Sequence, residues 1–195
     1  MHASQIRRAP PSLRVLPRVF PAVLIVASVF LQAGWAKAYQ AIKGESTLSY
    51  HMVHPMHKIT GVSRDFLCTV DLSADTVSSR IKVSALISSF DSKNSSRDSH
   101  AMEMVQARKY PTVEFASESV KAEGDGYLVA GKLTFHGRTK PVSFHVTPHF
   151  QGQKVEITGG FAVKLSDFDV ERPSLLFVKT EDKLTIDFDL FAPAD

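Results

Sequence analysis

The sequence predicts an all-β fold, an antiparallel sandwich or barrel of short strands interrupted by one short helix. Three observations carry that prediction. Apolar residues recur at every second place along several runs. Turn residues separate the runs at spacings of about eight to twelve residues, the rhythm of antiparallel architectures. One segment, 95–108, lacks the alternation altogether.

The alternation runs through most of the chain. Val113 and Phe115 alternate with Thr112, Glu114 and Ala116, and Tyr127, Val129, Leu133 and Phe135 share a parity with Gly131. Val142, Phe144 and Val146 alternate with Ser143, His145 and Thr147, and Leu184, Ile186, Phe188 and Leu190 with Thr185, Asp187 and Asp189. A strand turns successive side chains to opposite faces, so each run presents one apolar face. Turns are expected at Gly124-Asp125-Gly126, His136-Gly137, Gln151-Gly152 and Gly159-Gly160, where glycine supplies backbone geometry that other residues avoid. The helix is expected from Ser95 to Arg108, opened by a Ser/Asn/Asp cluster and ended at Tyr110-Pro111, because the residue before proline avoids helical geometry. A second irregular stretch, 165–177, links the last two strands.

Charge is unevenly distributed. The 195 residues carry 23 Lys plus Arg and 20 Asp plus Glu, a formal net charge of +3. The first 38 hold five basic residues, Arg7, Arg8, Arg14, Arg18 and Lys37, and no acidic one. The remaining 18 basic and 20 acidic residues leave a charge of −2, so the basic footprint of a nucleic-acid binder is absent from the strand-forming part. Basic residues, the apolar run 19–31 and Ala36-Lys37-Ala38 reproduce the layout of a secretory signal peptide. Cleavage is expected after Ala38, giving one soluble domain, 39–195, in the periplasm or outside the cell. The apolar run is shorter than the roughly 20 residues of a spanning helix. The single cysteine, Cys68, shares a strand face with Phe66, Val70 and Leu72, which reads as a buried, inert thiol.

Three stretches resemble the YceI family of exported polyisoprenoid-binding proteins. They are SSFDSKNSSRDSH at 88–100, KYPTVEF at 109–115 and GKLTFHGRTKPV at 131–142; Leu165-Ser166-Asp167-Phe168 fits a later family segment. The resemblance spans roughly residues 43–192. It implies a lipocalin-like antiparallel barrel of about eight strands with a short helix, enclosing a long apolar tunnel. It further implies a non-enzymatic protein, often homodimeric, that needs no cofactor and holds an isoprenoid or another long-chain lipid. Two departures fall where the tunnel mouth would be shaped: three histidines in His51-Met52-Val53-His54-Pro55-Met56-His57, and Phe168-Asp169 where the family often has Phe-Gly.

Candidate site residues follow from this reading. The apolar parity of a barrel faces inward, so Phe115, Tyr127, Leu133, Phe135, Phe144, Val146, Phe161, Phe168, Ile186 and Phe188 are expected to line the tunnel. His54, His136 and Arg138 are the headgroup candidates, since Arg suits anionic oxygen. His51, His54 and His57 form the one metal-like set, although strand positions three apart face opposite sides. Asp98 reads as the cap of the helix start and Arg97 as the partner of a neighbouring acid; no catalytic residue is expected. Expected partners are a long-chain apolar small molecule, a transient membrane contact and a second copy of the chain, with no nucleic acid. Two other functions share the same sequence: a metal- or redox-partner-binding module built on the histidines, and an interaction domain with a filled barrel.

Overall fold

A computed structural model describes residues 37–55, 57–72, 79–172, 174–175, 178–179 and 180–193. The signal-peptide reading falls almost wholly outside these residues. Among them, ten strands build one antiparallel sheet. In chain order they are β1 (Lys37–Gln40), β2 (Thr47–His54), β3 (His57–Ser63), β4 (Phe66–Leu72), β5 (Arg80–Leu86), β6 (Thr112–Glu123), β7 (Gly126–Phe135), β8 (Arg138–Gln151), β9 (Lys154–Lys164) and, last, β12 (Lys183–Pro193). The two-residue strands β10 (Ser174–Leu175) and β11 (Val178–Lys179) pair only with each other.

The order across the sheet is β1-β4-β5-β6-β7-β8-β9-β12-β2-β3. Its two ends share one chain passage, because β1 pairs with β4 whereas β2 pairs with β12 and β3. Between β1 and β2 the change of partner takes one residue: the Ala41 amide donates to the Cys68 carbonyl at 3.1 Å and the Ile42 amide to the Phe191 carbonyl at 2.7 Å. The sheet therefore curls back on itself around an apolar interior. Counted as passages, with β1–β2 and β3–β4 each one interrupted strand, this is the expected lipocalin-like architecture.

Parity decides what faces inward. In β7, Val129, Leu133 and Phe135 are buried, and in β8 so are Phe144 and Val146, while Lys132, Ser143 and His145 face solvent. The β6–β7 register shifts between Ser117 and Ser119, so the inward parity passes from Phe115 and Ser117 to Val120. A bulge of this kind bends the strand and helps a sheet curl.

The Gly159-Gly160 pair corrects an expectation. It lies inside β9 rather than in a turn, paired with Phe188 and Asp187 of β12. A Cβ on Gly159 would stand 2.5 Å from the Phe188 ring and 2.8 Å from the His145 carbonyl oxygen. These glycines make room for neighbours instead of reversing the chain. The other three expected turns fall between strands, with Gly124, Gly137 and Gly152 at positive φ.

The helix α1 (Ser95–Met104) is shorter than expected, passing into irregular turns before Tyr110. Asn94, not Asp98, is its N-cap: the Asn94 side chain accepts from the Arg97 amide at 3.0 Å. Asp98 reaches back past the cap, both carboxylate oxygens accepting from the Ser92 amide at 3.2 Å. Among the described residues Arg97 pairs with no acid; Nε donates to Ser92 Oγ at 2.9 Å and Nη2 to the Ser92 carbonyl at 2.7 Å. Both side chains thus fasten the segment ahead of α1. That segment is tied to the free edge of β3 by paired backbone bonds between Val62 and Asp91, each 3.0 Å.

Candidate functional site: an apolar cavity inside the curled sheet

The inward faces of the strands enclose a cavity of about 670 Å³, within the range of about 300–1,000 Å³ usual for small-molecule sites. Nine of the ten expected lining residues are on its wall: Phe115, Tyr127, Leu133, Phe135, Phe144, Val146, Phe161, Ile186 and Phe188. At the centre, the Phe144 ring stacks on Phe161 at 4.8 Å and tilts against Phe115 at 5.2 Å and Phe188 at 5.6 Å. These are the offset and edge contacts that aromatic quadrupoles favour. Ala101 and Met102 of α1, with Val105 just after it, contribute to the wall beside the helix. Pro148, Phe150 and Val155, around the β8–β9 turn, contribute at the opposite rim, where Phe150 is 77 % exposed.

Phe168 is the exception among the expected lining residues. It ends a 3-10 turn, Leu165–Phe168, and is fully buried behind the wall with its ring 5.6 Å from that of Phe135. A 3-10 turn has no strand parity, so alternation could not place it.

The headgroup candidates also lie off the wall. His136 sits at positive φ in the β7–β8 turn, 8 % exposed, and its Nδ1 donates to the Phe168 carbonyl at 2.8 Å. The Tyr110 ring closes over it edge-on at 4.9 Å. Arg138 is exposed and engages Asp169 through Nε at 2.6 Å and Nη2 at 2.5 Å. His54 is buried with Nε2 3.1 Å from the Val178 carbonyl oxygen, which can only accept, so Nε2 carries the proton. His51 faces the outer side, between Thr60 Oγ1 at 2.8 Å and the Asp187 carboxylate at 3.1 Å. The side chain of His57 is outside the described residues. His51 and His54 therefore point to opposite sides of β2, and no group of three metal-ligating side chains gathers among the described residues.

Several wall residues were missed by the sequence reading, Leu48, Tyr50 and Met52 of β2 among them. Tyr50 of β2 shares a parity with Leu48 and Met52, and all three are on the wall. Its ring packs 5.6 Å from Phe90 and over Gly61, where a Cβ would come within 2.3 Å of the ring. Burial first, and then the nearby Asp98 carboxylate, push the Tyr50 phenol up from its ordinary value, with Arg97 opposing. The hydroxyl is consequently protonated at neutral pH and available as a donor beside α1. The pattern Leu48-x-Tyr50-x-Met52 was the signal that could have found them.

Cys68 is buried, 4 % exposed, and packs with Phe66, Ala85 and Leu190 in a second apolar cluster. Burial pushes its thiol up to about 11.

Comparison with known proteins gives one consistent result. The family model described as YceI-like domain matches residues 39–192. A UPF0312 protein of Pseudomonas putida is 34% identical over 140 residues, covering 66% of this chain and 69% of its own length. A UPF0312 protein of Vibrio cholerae is 32% identical over 107 residues, covering 50% and 57%. Among solved structures, BcnA of Burkholderia cenocepacia superposes with a TM-score of 0.71 at 23% identity, over 77% of this chain and 98% of its own. A polyisoprenoid binding domain from Saccharophagus degradans superposes with a TM-score of 0.61 at 13% identity, over 80% and 98%.

Proposed function

The chain belongs to the YceI-like domain family, and from that premise we propose that it is an exported, non-enzymatic binding protein for a long-chain isoprenoid or similar apolar amphiphile. The observation that carries the reading is the cavity. A space of about 670 Å³ walled by aromatic and aliphatic side chains suits a flexible apolar chain. Each methylene withdrawn from water contributes about 0.8 kcal/mol, so a long tail is held without directional chemistry. The name of the Saccharophagus degradans domain, a polyisoprenoid binding one, supports the same ligand class. The basic and apolar N-terminal segment supports export, and with it a location in the periplasm or outside the cell.

The histidine-based alternative has no comparable support, since His51 and His54 face apart. The filled-barrel alternative has the cavity against it.

The test is displacement of an uncharged fluorescent dye, N-phenyl-1-naphthylamine, from the purified protein by farnesol. Enhanced dye fluorescence that farnesol reverses is expected, and Ala101→Trp, which grows a ring from α1 toward the space, should weaken both. No dye uptake by the folded protein would count against the proposal.

A further inference from the structure

We propose that the β8–β9 hairpin is a membrane-docking tip: Phe150 enters the surface of a lipid bilayer and holds the adjoining mouth of the cavity against it. The docking goes beyond the binding reading above and does not depend on which molecule the cavity holds.

Strand parity explains how an apolar side chain comes to stand there. Phe144, Val146, Pro148 and Phe150 share the inward parity of β8, but the β7–β8 pairing ends at Tyr127 and Val146. Past that point the hairpin continues with β9 as its partner, as far as Gln151 and Lys154 at the turn. Exposure rises accordingly from 9 % at Val146 to 77 % at Phe150, the most exposed large apolar side chain among the described residues. Phe150 thus carries the cavity wall outward to the surface, and Tyr39, Pro148, Val155 and Pro193 continue that wall around it. Exposed apolar surface continuous with an apolar interior marks a place that meets ligands or membranes.

The chemistry of the tip favours a bilayer over a protein partner. One exposed aromatic ring falls far short of the roughly 800 Å² that each partner buries in a stable protein interface. Residues 148–153, PHFQGQ, hold no Asp, Glu, Lys or Arg. The charges that flank them are answered: Lys154 pairs with Glu45 at 2.6 Å, and Glu156 accepts from Gln151 Nε2 at 2.7 Å. The tip therefore enters a headgroup layer without desolvating a lone charge. A net charge of −2 beyond residue 38 offers no attraction to anionic lipid, so the contact rests on apolar area.

The path of the chain points the same way. Pro193 of β12 pairs with Lys154 at this turn, and the Ile42 amide bonds the Phe191 carbonyl. The chain running back from Ile42 to Lys37 therefore emerges at the hairpin end of the sheet. The apolar run 19–31 ends six residues before Lys37, a tether of about 20 Å at full extension. During export through a membrane, the hairpin end is the end of the domain nearest its attachment. Given the binding reading, an apolar ligand then passes between lipid and cavity without crossing water.

Tryptophan fluorescence tests the docking. Trp35 is the chain's one tryptophan, so Trp35→Phe clears the background for a reporter placed elsewhere. Phe150→Trp and Gln153→Trp put reporters on the tip, and Leu67→Trp, at a position 73 % exposed on the outer face of β4, is the control. Each protein is recovered after export of the full chain, shown to be folded by circular dichroism, and mixed with vesicles of phosphatidylcholine. Emission from positions 150 and 153 should move to shorter wavelength and be quenched by lipids brominated along the acyl chain, in low and high salt alike. Position 67 should do neither. Adding Phe150→Asp to the Gln153→Trp protein should weaken vesicle binding about 10-fold or more, because a charge replaces a buried ring. No shift at positions 150 and 153, an equal shift at position 67, or vesicle binding that survives Phe150→Asp overturns the inference. So does emission at position 150 that is already at short wavelength without vesicles and reverts on dilution, which assigns the tip to a second copy of the chain. The vesicles contain no isoprenoid, so each of these outcomes leaves the carrier reading to its own dye-displacement test.

Discussion

His136 Nδ1 donates to the Phe168 carbonyl at 2.8 Å, joining the β7–β8 turn to the 3-10 turn that follows β9. The bond is buried, and Arg138–Asp169 spans the same two segments on the outside. A histidine and an arginine that suggest headgroup recognition by residue type are thus a clamp between two turns.

Removing the inner half of that clamp should cost stability and not binding. His136→Ala leaves the Phe168 carbonyl buried without its donor, a loss of about 1–3 kcal/mol. Urea denaturation should show a lowered midpoint, with farnesol affinity of the folded variant unchanged. A stable variant that no longer binds would return His136 to the binding site.

The outer half should matter far less. Both partners are more than half exposed, so Arg138→Ala should cost under about 1 kcal/mol and the difference should shrink in high salt. Denaturation at two salt concentrations measures both effects.

Phe144 contacts three other rings at the centre of the wall. Phe144→Ala should destabilise the fold by about 3 kcal/mol, typical of a buried aromatic truncation, and enlarge the cavity. Farnesol should still bind, but less tightly, because the tail loses its best packing surface.

Cys68 gives a pH signature. Its thiol is held near 11 when folded against an ordinary value of 9.0, so the folded state keeps its proton longer than the unfolded chain. That contribution to stability is complete below pH 9 and is lost as pH rises through about 11, an effect of about 2–3 kcal/mol. Subtracting the pH dependence of Cys68→Ala from that of the unsubstituted protein isolates it. Thiol reagents at pH 8 should react only as fast as the protein opens.

Much of the wall was legible because strand parity is a local property. Once the apolar parity of β7, β8 and β12 was assigned inward, Leu133, Phe144 and Ile186 could go nowhere else. Phe168 was misplaced because its backbone leaves the strand at Leu165, ending the alternation that would have located it. The bonds of His136 and Arg138 were hidden from the sequence for a different reason. Residue type indicates what a side chain can bond to, but only the tertiary fold brings Phe168 and Asp169 within reach, some thirty residues away. Gly159-Gly160 reads as a turn by composition, whereas the Phe188 ring, from a strand not adjacent in sequence, is what requires it.

The central claim is that the cavity holds an apolar amphiphile. Native mass spectrometry of the protein purified without detergent, followed by organic extraction of what it carries, tests it most directly. The account predicts a retained small molecule that extracts as an apolar chain. A mass equal to the bare polypeptide, after exposure to the membranes of the cells that produced it, would contradict the account.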